Sequence, residues 1–201
     1  LFSSNSGADP SQDLGHESGV TSIAISPNGR WLLSGGFDLT VRLWDFPSGK
    51  NMHFLFHANK SEFPIHSQLP PPPMVMAVAF SPDDNFAAAG LRDGTIRIWE
   101  IKKEDNPRIL RGNGGILAIA FSPYSSLLAS GGHCDLVTLW DMNTKKPKFV
   151  FSGHGFMARA LAFARGGQSL ISAGIDGKIR FWNVLTGQLE KQIGLNCGVI
   201  F

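Results

Sequence analysis

The side chains best suited to chemistry in this chain are His16, Ser34 and Asp38. They are the three types of a charge-relay nucleophile: a serine to attack, a histidine to take its proton, an aspartate to orient the histidine. The same types return as His154, Ser172 and Asp176. Between the two sets, His133-Cys134-Asp135 places a thiol beside an imidazole and a carboxylate, the ingredients of a cysteine nucleophile. Spacing decides how the first two sets are read. His16 to His154, Ser34 to Ser172 and Asp38 to Asp176 are each 138 residues apart, and Trp44 to Trp182 keeps the same interval. An enzyme seldom needs one triad twice, whereas a constellation repeated with one internal spacing marks a copied structural unit. The His133-Cys134-Asp135 run fails for another reason. Neighbouring side chains on a tight turn diverge, and a thiol needs its base within hydrogen-bond reach. The Gly112-Asn113-Gly114-Gly115 run lacks the lysine and following helix of a phosphate loop and reads as a turn. No catalytic residue is assigned, and the chain is expected not to be an enzyme.

The elements that must position these residues repeat as well. Trp44, Trp99, Trp140 and Trp182 fall at intervals of 55, 41 and 42 residues. Upstream of the first three lie Ile23-Ala24-Ile25-Ser26-Pro27, Val78-Ala79-Phe80-Ser81-Pro82 and Ile119-Ala120-Phe121-Ser122-Pro123; the fourth copy, Leu161-Ala162-Phe163-Ala164, loses the Ser-Pro corner. A short strand of small residues follows in each unit, ending Ser34-Gly35, Ala89-Gly90, Ser130-Gly131 and Ser172-Ala173. After a tight turn comes an alternating strand such as Val41-Arg42-Leu43-Trp44 or Ile179-Arg180-Phe181-Trp182. Alternation of period two with β-branched and aromatic residues is a strand signal, and no stretch carries a helical period. His53-Phe54-Leu55-Phe56, Ile109-Leu110 and Phe149-Val150-Phe151 supply a fourth strand per unit.

Four short strands every 41 or 42 residues, closing on Trp44-Asp45, Trp99-Glu100, Trp140-Asp141 and Trp182-Asn183, resemble the WD-repeat family of β-propellers. Two Gly-His openings, at Gly15-His16 and Gly153-His154, strengthen the resemblance, which runs from about Gly15 onward. It implies an all-β fold built of propeller blades, each a four-stranded antiparallel sheet. Blades are expected at about 15–57, 74–111, 112–152 and 153–193, with a fifth beginning at 194–201. A polar segment, 1–14, precedes them, and it contains no apolar run of signal-peptide length. The long first interval places an inserted, proline-rich loop at 57–73. Its Pro70-Pro71-Pro72-Pro73 favours polyproline II, either as a stiff connector or as a ligand for a proline-recognising domain.

In the family, the turn Asp, the His, the Ser and the Trp form a structural hydrogen-bond network. The resemblance carries that network onto His16, Ser34, Asp38 and Trp44, and onto His154, Ser172, Asp176 and Trp182. The middle units depart from it. The second keeps Asp93 and Trp99 but has Ala89 for the Ser and proline for the Gly-His. The third keeps Trp140, has Asn113 near the His position, and carries Cys134 at the Asp position with Asp135 one place later. These two blades are expected to be held mainly by packing and to be the softer ones.

Propellers of this family present one rim of loops to partners, through the residue before the turn Asp and those at the start of the first strand. Carried over, the pre-turn positions are Phe37, Arg92, His133 and Ile175, and the strand-start positions are Met74, Met76, Leu117, Met157 and Arg159. The expected function is a non-catalytic protein–protein interaction scaffold, docking a partner peptide or domain on that rim. The alternative is a sensor or regulatory propeller module of a larger multidomain enzyme or assembly. Four blades make an unusually small ring or an open arc, a partial propeller. An arc leaves two apolar end faces of roughly 300 Å² each, comparable with the largest patch a soluble monomer shows. Further blades, another protein or a second copy are then expected to complete the ring.

Composition sets the remaining bounds. Hydrophobic residues make up 43% of the chain, enough for a core, and the formal net charge is only +2. Basic residues come in small sets such as Lys102-Lys103 and Lys145-Lys146-Lys148, too scattered for a nucleic-acid groove. Two cysteines without metal-ligand spacing imply neither a disulfide framework nor a metal site, and favour a cytoplasmic location. No apolar stretch reaches membrane-spanning length, and no cofactor is implied.

Overall fold

The computed structural model describes residues 15–58, 72–103, 106–124 and 126–194. The polar segment 1–14, most of the proline-rich insertion and the start of the expected fifth unit therefore lie outside the described residues.

Among the described residues, sixteen strands form four separate four-stranded antiparallel sheets, each in sequential order. Blade 1 holds β1 (Val20–Ile25), β2 (Trp31–Gly36), β3 (Thr40–Asp45) and β4 (Lys50–His57). Blade 2 holds β5 (Val75–Phe80), β6 (Phe86–Leu91), β7 (Thr95–Glu100) and β8 (Arg108–Arg111). Blade 3 holds β9 (Ile116–Phe121), β10 (Leu127–Gly132), β11 (Val137–Asp141) and β12 (Lys146–Phe151). Blade 4 holds β13 (Ala158–Ala164), β14 (Ser169–Gly174), β15 (Lys178–Asn183) and β16 (Leu189–Gly194).

The blades stack in chain order. Strands β5, β9 and β13 each lie against the first two strands of the blade before, so the first strands are innermost. Each junction owns one apolar cluster. Leu33, Val41 and Leu43 meet Val75, Val78 and Phe80. Ala88, Ile96 and Ile98 meet Ile116, with Ile119 and Phe121 packed alongside. Ala129, Val137 and Leu139 meet Ala158, with Leu161 and Phe163 alongside. The small residues of the second strand are what allow this approach. A Cβ at Gly35 would run into Val75 Cγ1, one at Gly90 into Ile116 Cγ2, and one at Gly131 would stand 2.9 Å from Ala158 Cβ.

The two ends of the stack show what a missing junction leaves. Val20, Ile23 and Ile25 are 50%, 64% and 52% exposed, whereas Val75, Val78 and Phe80, their counterparts in blade 2, are at most 9% exposed. At the other end Ile171, Ile179 and Phe181 are only partly buried, while Leu33, Val41 and Leu43 are sealed. The four blades form an open arc, the partial propeller that the repeats imply.

Local chemistry explains the turns. At the lower corner Ser26 Oγ donates to Asn28 Oδ1 and accepts from Trp31 N; Ser81 does the same with Asp83 and Phe86 N. Blade 4, without the Ser-Pro corner, turns instead through a 3₁₀ turn at Arg165–Gly167, with Gly166 and Gly167 at positive φ. In blades 3 and 4 the residue after the Trp closes the next turn: Asp141 Oδ1 accepts from Asn143 N and Thr144 N, and Asn183 Oδ1 from Leu185 N and Thr186 N. An Asn serves there as well as an Asp because the turn needs an oxygen at that reach, not a charge. The outermost strands carry Arg108, Lys146, Pro147, Lys148 and Lys191, residues that discourage edge-to-edge pairing.

Candidate functional site

The His, Ser and Asp of the outer blades do meet at triad distances. In blade 1, His16 Nδ1 lies 2.8 Å from Asp38 Oδ2 and Nε2 lies 2.6 Å from Ser34 Oγ. In blade 4, His154 stands 3.0 Å from Asp176 and 2.7 Å from Ser172. Yet both hydroxyls are sealed, at 4% and 0% exposure, and each also accepts an indole N–H, from Trp44 at 2.7 Å and Trp182 at 2.9 Å. A nucleophile must reach a substrate; these oxygens reach only a histidine and a tryptophan. The arrangement ties the second and third strands of a sheet, and the turn between them, to the loop that precedes it.

Buried arginines complete each network. Arg42 Nε donates to Thr40 Oγ1, and Arg180 Nη1 stands 2.7 Å from Asp176 and 2.8 Å from His154 Nδ1. Burial lowers the His154 pKa below 6.5 and the Arg180 charge adds to this, against the raising effect of Asp176. Burial pushes Asp38 and Asp176 upward, but their hydrogen bonds win and both carboxyls lie below 3.8. Thr40 and His16 lead for Asp38, His154 and Arg180 for Asp176.

Blade 3 keeps the Trp140–Ser130 bond at 2.8 Å without a histidine. Its displaced Asp135 bonds across the blade junction instead. There Oδ1 accepts from Gly153 N at 2.7 Å and Gly155 N at 2.9 Å, clamping blade 3 to the Gly-His opening of blade 4. Cys134, at the Asp position, donates to Leu136 O. Blade 2 keeps Asp93, which accepts from Thr95 N and Oγ1, and Trp99 packs in its core without a serine partner at Ala89. Asp135 was legible in the sequence only as an aspartate one place late; its partners belong to the next repeat.

The rim positions share one construction. Phe37 N donates to Gly19 O, Arg92 N to Met74 O, His133 N to Gly115 O and Ile175 N to Met157 O. Each pre-turn residue is thus tied to the start of its own blade's first strand. Two residues further on, every first strand carries a bulge, at Thr21, Met76, Leu117 and Arg159. A bulge re-aims the side chain it carries. The recurrence groups Met76, Leu117 and Arg159 as one structural position and adds Thr21, whose polar character hid it; its hydroxyl donates to Gly35 O and Val75 O. Phe37, Arg92, His133 and Arg159 are exposed, while Met74, Met76, Leu117, Met157 and Ile175 are partly buried. Phe156, 60% exposed beside Met157, joins the same rim. Burial lowers the His133 pKa, and the positive charges of Arg92 and Arg159 lower it further. No three His, Cys, Asp or Glu side chains among the described residues converge as a metal site. No described helix is long and apolar enough to cross a membrane.

Four-stranded antiparallel blades stacked on innermost first strands, each pinned by a Trp and most by a turn Asp, define a β-propeller repeat protein. The family model for the WD domain, G-beta repeat, matches residues 9–45, 62–100, 105–141 and 145–183, and the chain belongs to this WD40 family. It is similar to the WD repeat-containing protein pop2 of Schizosaccharomyces pombe, 28% identical over 87% of this chain and 21% of that protein. It also resembles the guanine nucleotide-binding protein subunit beta of Arabidopsis thaliana, 30% identical over 50% of this chain and 24% of that protein. Human striatin is 30% identical over 49% of this chain and 12% of its own length. The chain thus spans a quarter or less of each of these relatives.

Proposed function

We propose that this chain is a non-catalytic interaction scaffold whose upper rim, the end bearing Phe37, Arg92, His133 and Ile175, docks a partner protein. The observation that carries the reading is the fourfold backbone bond from each pre-turn N–H to the strand-start carbonyl. It holds aromatic, Met and Arg side chains, the types that interface cores favour, on one rigid edge with little ordering cost left to binding. Sealed Ser34 and Ser172 support a non-catalytic role. The short span of the relatives covered supports the second reading, in which the arc is a regulatory module of a larger assembly. The exposed end faces support further blades or a second copy as neighbours, and the free thiol of Cys134 fits a cytoplasmic setting.

The test is crosslinking in cell extract with the unmodified chain, with Phe37→Ala/Met157→Ala, and with Phe46→Ala/Tyr124→Ala on the opposite rim. Partners lost only with the upper-rim pair are the expected result. Partners unaffected by the upper-rim pair, or lost equally with both, would sink the reading.

A further inference from the structure

Some exposed cations of the arc meet anions: Lys103 and Arg108 with Glu100, and Arg165 with Glu190. Three exposed arginines of the upper rim do not. Arg92 is exposed at the pre-turn position of blade 2, and its Nη1 contacts the sulfur of Met74 at 3.6 Å. Arg111, exposed at the end of β8, pairs in register with Thr95 beside the same turn. Arg159 is exposed on the bulge of β13. Among the described residues none of the three has a carboxylate within ion-pair distance. Beneath them Arg97 stacks on Phe56 at 4.1 Å, and its Nε has no partner among the described residues.

These groups are neighbours. A Cβ at Gly115 would stand 2.7 Å from Arg92 O and 3.0 Å from the His133 ring, so both flank one backbone position at the junction of blades 2 and 3. Ala158, which precedes Arg159, packs on Gly131, two residues before His133. The nearby carboxylates are turned to other work: Asp93 accepts from Thr95, and Asp135 from Gly153 and Gly155. The result is a cationic strip across blades 2 to 4 on a chain whose net charge is only +2.

We propose that this strip, with Arg92, Arg111 and Arg159 at its corners and His133 between them, receives an acidic segment of the partner protein, rich in Asp or Glu. The inference rests on the rim being the docking face, and it adds the chemistry of what docks. Guanidinium groups donate to carboxylates in bidentate geometry, and here the rearrangement cost is small, since no ion pair to a described residue must first be broken. His133 adds a hydrogen-bond donor whose charged form burial and, after it, the two arginines disfavour until an anion arrives.

The probe is a fluorescein-labelled peptide of about a dozen residues alternating Glu and Ser, with an equivalent of Gln and Ser as the neutral control. Binding to the 201-residue chain is followed by fluorescence anisotropy from roughly 0.05 to 0.5 M salt. The Glu peptide is expected to bind and the Gln peptide not, with affinity falling as salt rises. Arg92→Glu/Arg159→Glu should weaken binding by about tenfold or more, and Lys102→Glu/Lys145→Glu on the lower rim should stay within about twofold. Circular dichroism shows whether each variant keeps its sheet; Arg92→Gln/Arg159→Gln replaces the reversal if it does not. No binding of the Glu peptide, equal binding of the Gln peptide, or equal loss in both double variants overturns the proposal. Partners lost with Phe37→Ala/Met157→Ala while the Glu peptide fails to bind would leave the rim standing as a docking face and remove only its acidic ligand.

Discussion

Ser34 Oγ lies 2.6 Å from His16 Nε2, the spacing of an activated nucleophile, and simultaneously accepts the Trp44 indole N–H at 2.7 Å. The second bond turns a catalytic geometry into a structural one, because the hydroxyl is spent inside the sheet. Ser34→Ala and Ser172→Ala should each cost about 1–3 kcal/mol by leaving the His and Trp groups unpaired. Urea unfolding measures this, and a fluorophosphonate probe should label neither serine. Labelling of either would show that the pocket opens to substrate.

Gly90 should tolerate no side chain. Its missing Cβ is the space that Ile116 of the next blade occupies. Gly90→Ala is expected to destabilise by about 1–3 kcal/mol through overpacking, and its cost should shrink in an Ile116→Ala background, which removes the Cγ2 that the new Cβ would meet. Ala at position 90 without effect on the unfolding midpoint would show that the blades are not held this closely.

The same substitution should have opposite consequences at equivalent positions of blades 1 and 2. Ile23 is 64% exposed and Val78 is 7% exposed. Ile23→Lys should change stability by less than about 0.5 kcal/mol and reduce self-association in light scattering, because it breaks an apolar end face. Val78→Lys should unfold the blade junction, since it buries an unpaired charge. Equal costs at the two sites would mean that something covers the blade 1 face in solution.

Acid should weaken the arc in two stages. Folded His154 resists protonation, so the unfolded chain takes up a proton first as pH falls through about 6.5, and stability drops from there. Asp38 and Asp176 titrate below 3.8 when folded; their contribution is present above that pH and is lost as the pH falls toward the folded values. Urea midpoints at pH 7.5, 5.5 and 3.5 should fall in that order, and His154→Gln should flatten the first step. A midpoint unchanged between pH 7.5 and 5.5 would show that His154 titrates normally.

Asp135→Asn should loosen one junction without unfolding a blade. Its carboxylate holds the amides of Gly153 and Gly155, and a neutral side chain makes weaker bonds to them. Hydrogen exchange should quicken at those two amides and stay unchanged within β9–β11. Global loss of protection would assign Asp135 to the blade's core instead.

The sequence by itself determined the repeat, the strand order within each blade and the two complete networks. Each of these rests on residues that recur at one interval, and recurrence is visible without coordinates. The substitution of Asn183 for Asp in the last Trp-Asp pair was legible for the same reason, since either side chain supplies the turn oxygen. Whether four blades close or stay open was decided only by the tertiary structure. Ile23 and Val78 read alike as strand residues, and their difference in burial depends on whether a blade stands in front. The role of Asp135, and the absence of a carboxylate partner for Arg92, Arg111 and Arg159 among the described residues, are likewise properties of junctions between blades. Pairing across a junction depends on how two repeats pack, a relationship that no single repeat encodes.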